Sequence, residues 1–309
     1  MEILRTQFTA MKIGIHTIRQ VKSLGFVKLF QKFCEAFFIL FHLKSHMSMT
    51  NILTLPRVKY VIETDPKISF KYLGKYLSLS LSRASRLAIL THHYNTLANF
   101  VKDDFVEKII NGQIKLWEEY KGLDRYCIAL TYPDYHREGD LSIVFYFNSH
   151  IIYTMSFTIA PGNLLDIPAD HVLFITRMQG TTGHFDLIRH ATKSLNDISP
   201  QKKLLVVIEA IATTMGISDI AGICAREQIN FETISSRDVD SKTYDDFWRN
   251  HGGKIINDKL FHLPVPLTHK PISMIPINHR CRVKNKRHLN KDFMGQVCLT
   301  FSQKCIRSL

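Results

Sequence analysis

HVLFITRMQGTTGHFDLIRHATKSL, residues His171–Leu195, decides how the fold is read. Val172–Met178 is an apolar run of strand length, Gln179–Gly183 is a glycine-bearing loop, and His184–Leu195 starts a helix. A helix N-terminus leaves backbone N–H groups unpaired and carries partial positive charge. Gly180 and Gly183 would let an anionic group approach that backbone. Arg177 ends the strand, Gln179 opens the loop, and Arg189 and Lys193 stand four apart on the helix. Two readings stay open from spacing alone: a phosphate or carboxylate site built from Arg177, Gln179, Gly180, Gly183, Arg189 and Lys193, or a packed strand–loop–helix whose basic groups face water. The loop is neither a Walker A sequence nor GxGxxG, so no nucleotide is specified.

Strands precede this unit. Tyr126–Tyr132, Leu141–Asn148 and Ile151–Ile159 are rich in β-branched and aromatic residues, and Asn148-Ser149 joins the last two as a hairpin. Helices and short strands follow it. Ser199 is an N-cap, Pro200 suits the first helical position and Gly216 the stop; Leu204, Ile208, Ile211, Ala212 and Met215 share the face between them. Asp219–Ala225 reads as a short strand, Tyr244–His251 as a short helix ended by Gly252-Gly253, and Ile255–Leu263 as a final strand. The fold class expected is α+β: a helical N-terminal part, then a mostly antiparallel central sheet flanked by helices.

Residues 1–48 read as helical. Phe26, Phe30, Phe33, Phe37 and Phe41 recur at helical spacing. That stripe either packs on the rest of the protein or lies on an acidic membrane surface. Phe33–Leu43 is the most apolar run; at eleven residues it is too short to span a bilayer, which needs about 20. It also lacks the setting of a signal peptide. Thr50–Ile68, with two prolines, reads as a linker or extended segment. Ser82–Phe100 is a helix with Leu87, Leu90, Tyr94 and Leu97 on one face, and Asp103–Tyr120 is another, broken near Gly112. Within the first, His93 and Tyr94 are either a satisfied structural pair or ligand-lining groups, His93 because its ordinary pKa lies near neutrality.

The 309 residues divide on this reading into a basic amphipathic segment 1–48, a helical part 49–120, an α/β core 121–268 and a basic C-terminal extension 269–309. The formal charge of +13 favours anionic partners: an acidic membrane surface, an acidic carrier protein or phosphorylated ligands. In the extension Arg280, Arg282, Lys284, Lys286 and Arg287 fall close together, with Asp292 the one acid near them. Few aromatics interleave with these cations, so nucleic acid ranks last among partners. Six cysteines form no CxxC pair, which fits a reducing compartment, and neither the cysteines nor the 15 histidines show metal-ligand spacing. No metal is expected, and the cytoplasm, with peripheral contact at the inner membrane, is the expected location.

Several blocks together resemble the VirK/YbjX family of Gram-negative bacteria: RMQG at Arg177–Gly180, IRHATK at Ile188–Lys193, YDDFWRNHGG at Tyr244–Gly253 followed by Leu263-Pro264, HHY at His92–Tyr94 and EGDLSIVF at Glu138–Phe145. The resemblance covers about residues 60–295. It implies a virulence-associated accessory protein: envelope homeostasis, correct placement of a surface autotransporter, and resistance to cationic antimicrobial peptides. It implies no catalytic residue and no cofactor. Thr176 stands where the family pattern has glycine, and Cys224–Gln228 lacks the serine and histidine often found there. The order of elements is also similar to N-acyltransferases of the GNAT type, including the autoinducer-synthase branch. That likeness implies an acyl donor carried on coenzyme A or acyl-carrier protein, with Tyr244, Phe247 and Trp248 lining the acyl path or packing the core.

Overall fold

The structure, a computed structural model, describes residues 26–231 and 238–307. It divides into two compact units, residues 1–48 and 49–309. In the first, helix α1 (Phe26–Phe41) carries the phenylalanine stripe, and the side chains of Phe30, Phe33, Phe37 and Phe41 are exposed. The expectation of helix before Phe26 lies outside the described residues. Helix α2 (Leu43–Leu53) runs across the division.

The second unit is built on an eight-stranded sheet of order β1-β2-β3-β4-β5-β6-β8-β7. Its strands are β1 (Ile114–Lys121), β2 (Asp124–Thr131), β3 (Leu141–Phe147), β4 (His150–Ala160), β5 (Val172–Gly180), β6 (Asp219–Ile223), β7 (Lys254–Ile256) and β8 (Leu260–Pro264). Every neighbouring pair is antiparallel except β5 with β6. The fold is α+β, as the sequence indicates. The Asn148-Ser149 turn is present, with Asn148 at φ 54°, the left-handed conformation that a two-residue hairpin turn requires.

Three expectations are corrected. Thr50–Ile68 is not an extended linker: it holds the end of α2, helix α3 (Lys59–Thr64) and the start of a 3₁₀ turn, Pro66–Leu73. Pro66 opens that turn instead of breaking a helix, which is where a residue without an N–H is tolerated. Val58, Val61 and Ile68 from this stretch are core residues. Asp103–Tyr120 is not one broken helix. Helix α5 (Phe105–Asn111) ends at Gly112, and the remainder is strand β1, whose register with β2 aligns Trp117 with Ile128. Ile255–Leu263 is not one strand but the β7–β8 hairpin, turning at Asn257 and Asp258, both at positive φ.

Helix α4 (Arg83–Phe100) begins at the Ser82 N-cap, whose side chain accepts from Ser85 N. It packs on β4. Helix α7 (Pro200–Thr214), capped by Ser199, buries its apolar face on β3, β4, β5 and β6. Helix α9 (Ile277–Cys305) packs along α7 and β1. Through it Phe293 meets Trp117 edge-on at 5.2 Å, and Lys203 of α7 lies over both rings. Burial brings that ammonium down to about 8. Helix α6 (Phe185–Ser194) follows β5, and helix α8 (Asp238–Asn250) follows β6.

Candidate functional site

Strands β5 and β6 run side by side only from Leu173–Ile220 to Ile175–Gly222. Beyond that pair β5 stays on β4 as far as Gly180, while β6 ends at Ile223. Their pairing ends there. A bulge at Thr176 marks the departure, since Ser156 faces Arg177 while Phe157 faces Ile175. Thr176 Oγ1 donates to Glu138 O at 2.5 Å, which ties the bulge to the entry of β3.

Trp248 of α8 fills the end of the parallel pair. A Cβ on Gly222 would lie 2.6 Å from its indole, and its Nε1 donates to Ile223 O at 3.1 Å. Only glycine admits the ring there. Asp245 anchors the same helix by accepting from Ala225 N at 2.8 Å. Tyr244 lies one turn before Trp248, the rings at 6.1 Å. Its hydroxyl is buried, and burial pushes the phenol well above its ordinary pKa. Tyr153 of β4 and Cys224 are close enough to add to that rise, and Gln228 opposes it. Phe247 is buried, its ring tilted against His251 at 4.4 Å.

The loop after β5 is shorter than expected, because Gln179 and Gly180 pair with Thr154 and Tyr153 as strand residues. Thr181 N donates to Ile152 O, and His184 Nδ1 donates to Ile151 O at 3.0 Å. Gly183 takes φ 82°, and a Cβ there would meet nothing within 4 Å. Among the described residues no acceptor faces the N–H groups of Thr182, Gly183 or the first turn of α6. Gly180 is different: a Cβ there would stand 3.1 Å from Ile188 and 3.3 Å from Tyr153, so its smallness serves packing.

The basic side chains do not gather on this loop. Arg177 Nε lies 3.1 Å from Glu138 Oε2, its Nη2 donates to Gln179 Oε1 at 2.8 Å, and the guanidinium covers Tyr135. Asn230 donates to the other Glu138 oxygen at 2.6 Å. Burial raises Glu138, and Arg177 and Asn230 pull it back. Arg189 and Lys193 are exposed, Arg189 facing Asp186 at 3.7 Å.

A second polar group is enclosed between α4, the Pro66–Leu73 turn and the sheet. Lys71 Nζ donates to Asp140 Oδ1 at 2.6 Å and to Gly139 O at 3.0 Å. Asp140 Oδ2 accepts from Thr158 at 2.7 Å and from Tyr76. Burial alone would raise Asp140, but Lys71, His93 and these hydrogen bonds hold it below the carboxylate range. His93 Nδ1 accepts from Ile159 N at 3.1 Å, and its Nε2 has no partner. Burial takes the ring down to about 4, Asp140 opposing and Lys71 assisting. The hydroxyls of Tyr94 and Tyr132 are also buried, close to one another.

Sequence reasoning found Arg177, His93 and Tyr94 but missed their partners Glu138, Lys71 and Asp140. The signal was present in part. Glu138 and Asp140 stand in the EGD block around Gly139, which takes φ 153° with no room for a Cβ beside Ser156 and Phe157. Lys71 lies 69 positions from its partner, and no local pattern joins them.

The family model described as protein of unknown function (DUF535) matches residues 27–298. No curated protein and no solved structure matches the chain. The matched region takes in the whole sheet, both polar groups and most of α9. The chain belongs to the DUF535 family of proteins of unknown function.

Proposed function

We propose that the chain is a GNAT-like acyltransferase that takes an acyl group from an acyl-carrier protein or coenzyme A thioester. The observation that carries this reading is the single parallel pair, β5 and β6, whose pairing ends after Ile175 and Gly222 within an otherwise antiparallel sheet. In N-acyltransferases of this type the pantetheine arm lies where such a pair ends and its pyrophosphate meets the following helix N-terminus. The backbone around Thr182 and Gly183 is open and its N–H groups are free to meet phosphate oxygens. Arg177, Arg189 and Lys193 contribute nothing there, being paired or turned to solvent.

On this reading Tyr244 supplies the proton that a departing thiolate needs. Its hydroxyl is buried among Tyr153, Cys224 and Gln228 and keeps its proton well above neutral pH. Trp248 packs on Gly222 where the pairing ends. The net charge of +13 suits an acidic carrier. Thermal unfolding with coenzyme A, an acyl-coenzyme A and an acyl-carrier protein tests the reading. A concentration-dependent rise with at least one is expected; no rise with any of the three overturns it.

The VirK/YbjX resemblance supplies a second reading, a virulence-associated accessory role in envelope homeostasis, autotransporter placement and resistance to cationic peptides. Its support is that the resembling blocks meet in space: Glu138 pairs with Arg177, and His93 lies beside Asp140. This reading locates the protein in the cytoplasm or at the inner membrane surface, with an envelope protein as partner. Among the described residues no helix is long and apolar enough to cross a membrane. Complementation of a deletion strain for peptide resistance tests it, and a strain indifferent to the deletion overturns it.

A further inference from the structure

A cluster of positive charge lies away from β5 and β6, where four segments meet. Lys286 and Arg287 of α9 are the hinge of the arrangement. Lys286 Nζ donates to Asp197 O at 2.9 Å, just ahead of α7, and Arg287 donates to Lys270 O. Lys202 stands in the first turn of α7, where the Ser199 side chain caps its N–H. On the fourth side, Gly252 at the end of α8 fits against Thr268, so His251 and His269 are brought to the same place. Lys202, His251, Lys286 and Arg287 are all partly buried.

This cluster lacks the carboxylates that would neutralise it. Asp197 acts on Lys286, and Asp197 is already paired with Arg282. The cations act on one another instead. Burial, then Lys286 and Arg287, hold Lys202 below the lysine range. Burial, then Arg287 and Lys202, lower His269. For His251 burial comes first, the Phe247 carbonyl opposes it, and Lys202 and His269 add to the lowering. Partly buried like charges repel one another in folding, and a dianion or trianion would remove that cost. The α7 N-terminus adds its partial positive charge on the same side.

We infer that Lys202, Arg287, Lys286, His251 and His269 form a binding site for a phosphoryl group. The site is independent of the acyltransferase reading, since none of its residues lies on β5, β6 or the loop after β5. The chemistry is shared by a free phosphate compound and a phosphorylated lipid headgroup, and the experiment separates them.

Thermal unfolding and calorimetry are run on the full chain with inorganic phosphate and diphosphate, against chloride at equal ionic strength. Binding is also measured to phosphatidylcholine vesicles with and without phosphatidic acid. Diphosphate is expected to bind at least tenfold more tightly than phosphate. Lys202→Gln with Arg287→Gln is expected to weaken it at least tenfold, whereas Lys284→Gln, at an exposed position, leaves it unchanged. The double variant is also expected to unfold at higher temperature than the parent without anion, because repulsion is relieved; that readout stands even if binding is weak. Binding to phosphatidic acid vesicles alone, lost in the same variant, assigns the phosphoryl group to lipid and supports the inference. Equal responses to phosphate, diphosphate and chloride with no vesicle binding overturn it, as does a double variant that binds like the parent.

Discussion

Lys71 Nζ stands 2.6 Å from Asp140 Oδ1 with both side chains almost fully withdrawn from water, 6% and 0% exposed. The pair clamps the Pro66–Leu73 turn onto the start of β3, and Tyr76 and Thr158 take the second carboxylate oxygen. Lys71→Met leaves that carboxylate uncompensated and is expected to destabilise the protein by about 3–5 kcal/mol in denaturant unfolding. Adding Asp140→Asn should restore most of the loss, because a neutral amide can still accept from Tyr76 and Thr158. A double variant as unstable as the single one would contradict the clamp.

His93 gives the fold an acid limit. Its folded pKa is about 4 against an ordinary 6.5, so between those values the unfolded chain binds the extra proton. Stability therefore rises with pH across that window, and it is lost as pH falls from 6.5 towards 4. The contribution of this one ring is about 3 kcal/mol. Asp140, held low, adds a further loss only below the ordinary carboxylate range. His93→Gln, which can still accept from Ile159 N, should flatten the slope of unfolding free energy between pH 6.5 and 4. An unchanged slope would remove His93 as its source.

Arg177 is expected to act through Glu138. Arg177→Ala strands a mostly buried carboxylate and should cost about 1.5–3 kcal/mol, the worth of hydrogen bonds to a charged group. Glu138→Gln in the same chain should recover stability, since Asn230 can still donate to the amide oxygen. If Arg177→Ala leaves stability intact but removes binding of an anionic ligand, the residue belongs to a ligand site.

Trp248 packs on Gly222 at the end of the parallel pair. Trp248→Ala should cost about 3–5 kcal/mol through the cavity it leaves. Gly222→Ala should cost about 1–3 kcal/mol from overpacking against the indole. Trp248→Phe removes the bond to Ile223 O but keeps most of the volume, and it should remain folded. A Gly222→Ala protein as stable as the parent would mean the ring does not rest there.

Local signals made most of the fold legible. The hairpin at Asn148, the cap at Ser199 and the glycine stops are properties of a few neighbouring residues. The segments misread were those whose state depends on distant partners. Ile114–Lys121 is strand because β2 pairs with it and α9 covers it, although its pattern continues that of α5. The loop at Gly180 looked like an anion cradle, but Tyr153 and Ile188 fill the space that glycine leaves. The parallel register of β5 and β6 has no signature in either strand, and the acyltransferase reading rests on it.

Calorimetric titration with acyl-coenzyme A and acyl-carrier protein, on the parent and on Thr182→Glu, tests that reading most directly. Thr182 is exposed, so the new carboxylate should leave stability unchanged while facing the free N–H groups of the loop. The account predicts saturable binding by the parent and a loss of at least tenfold in the variant. No saturable binding to either thioester, or equal binding by the variant, would contradict it.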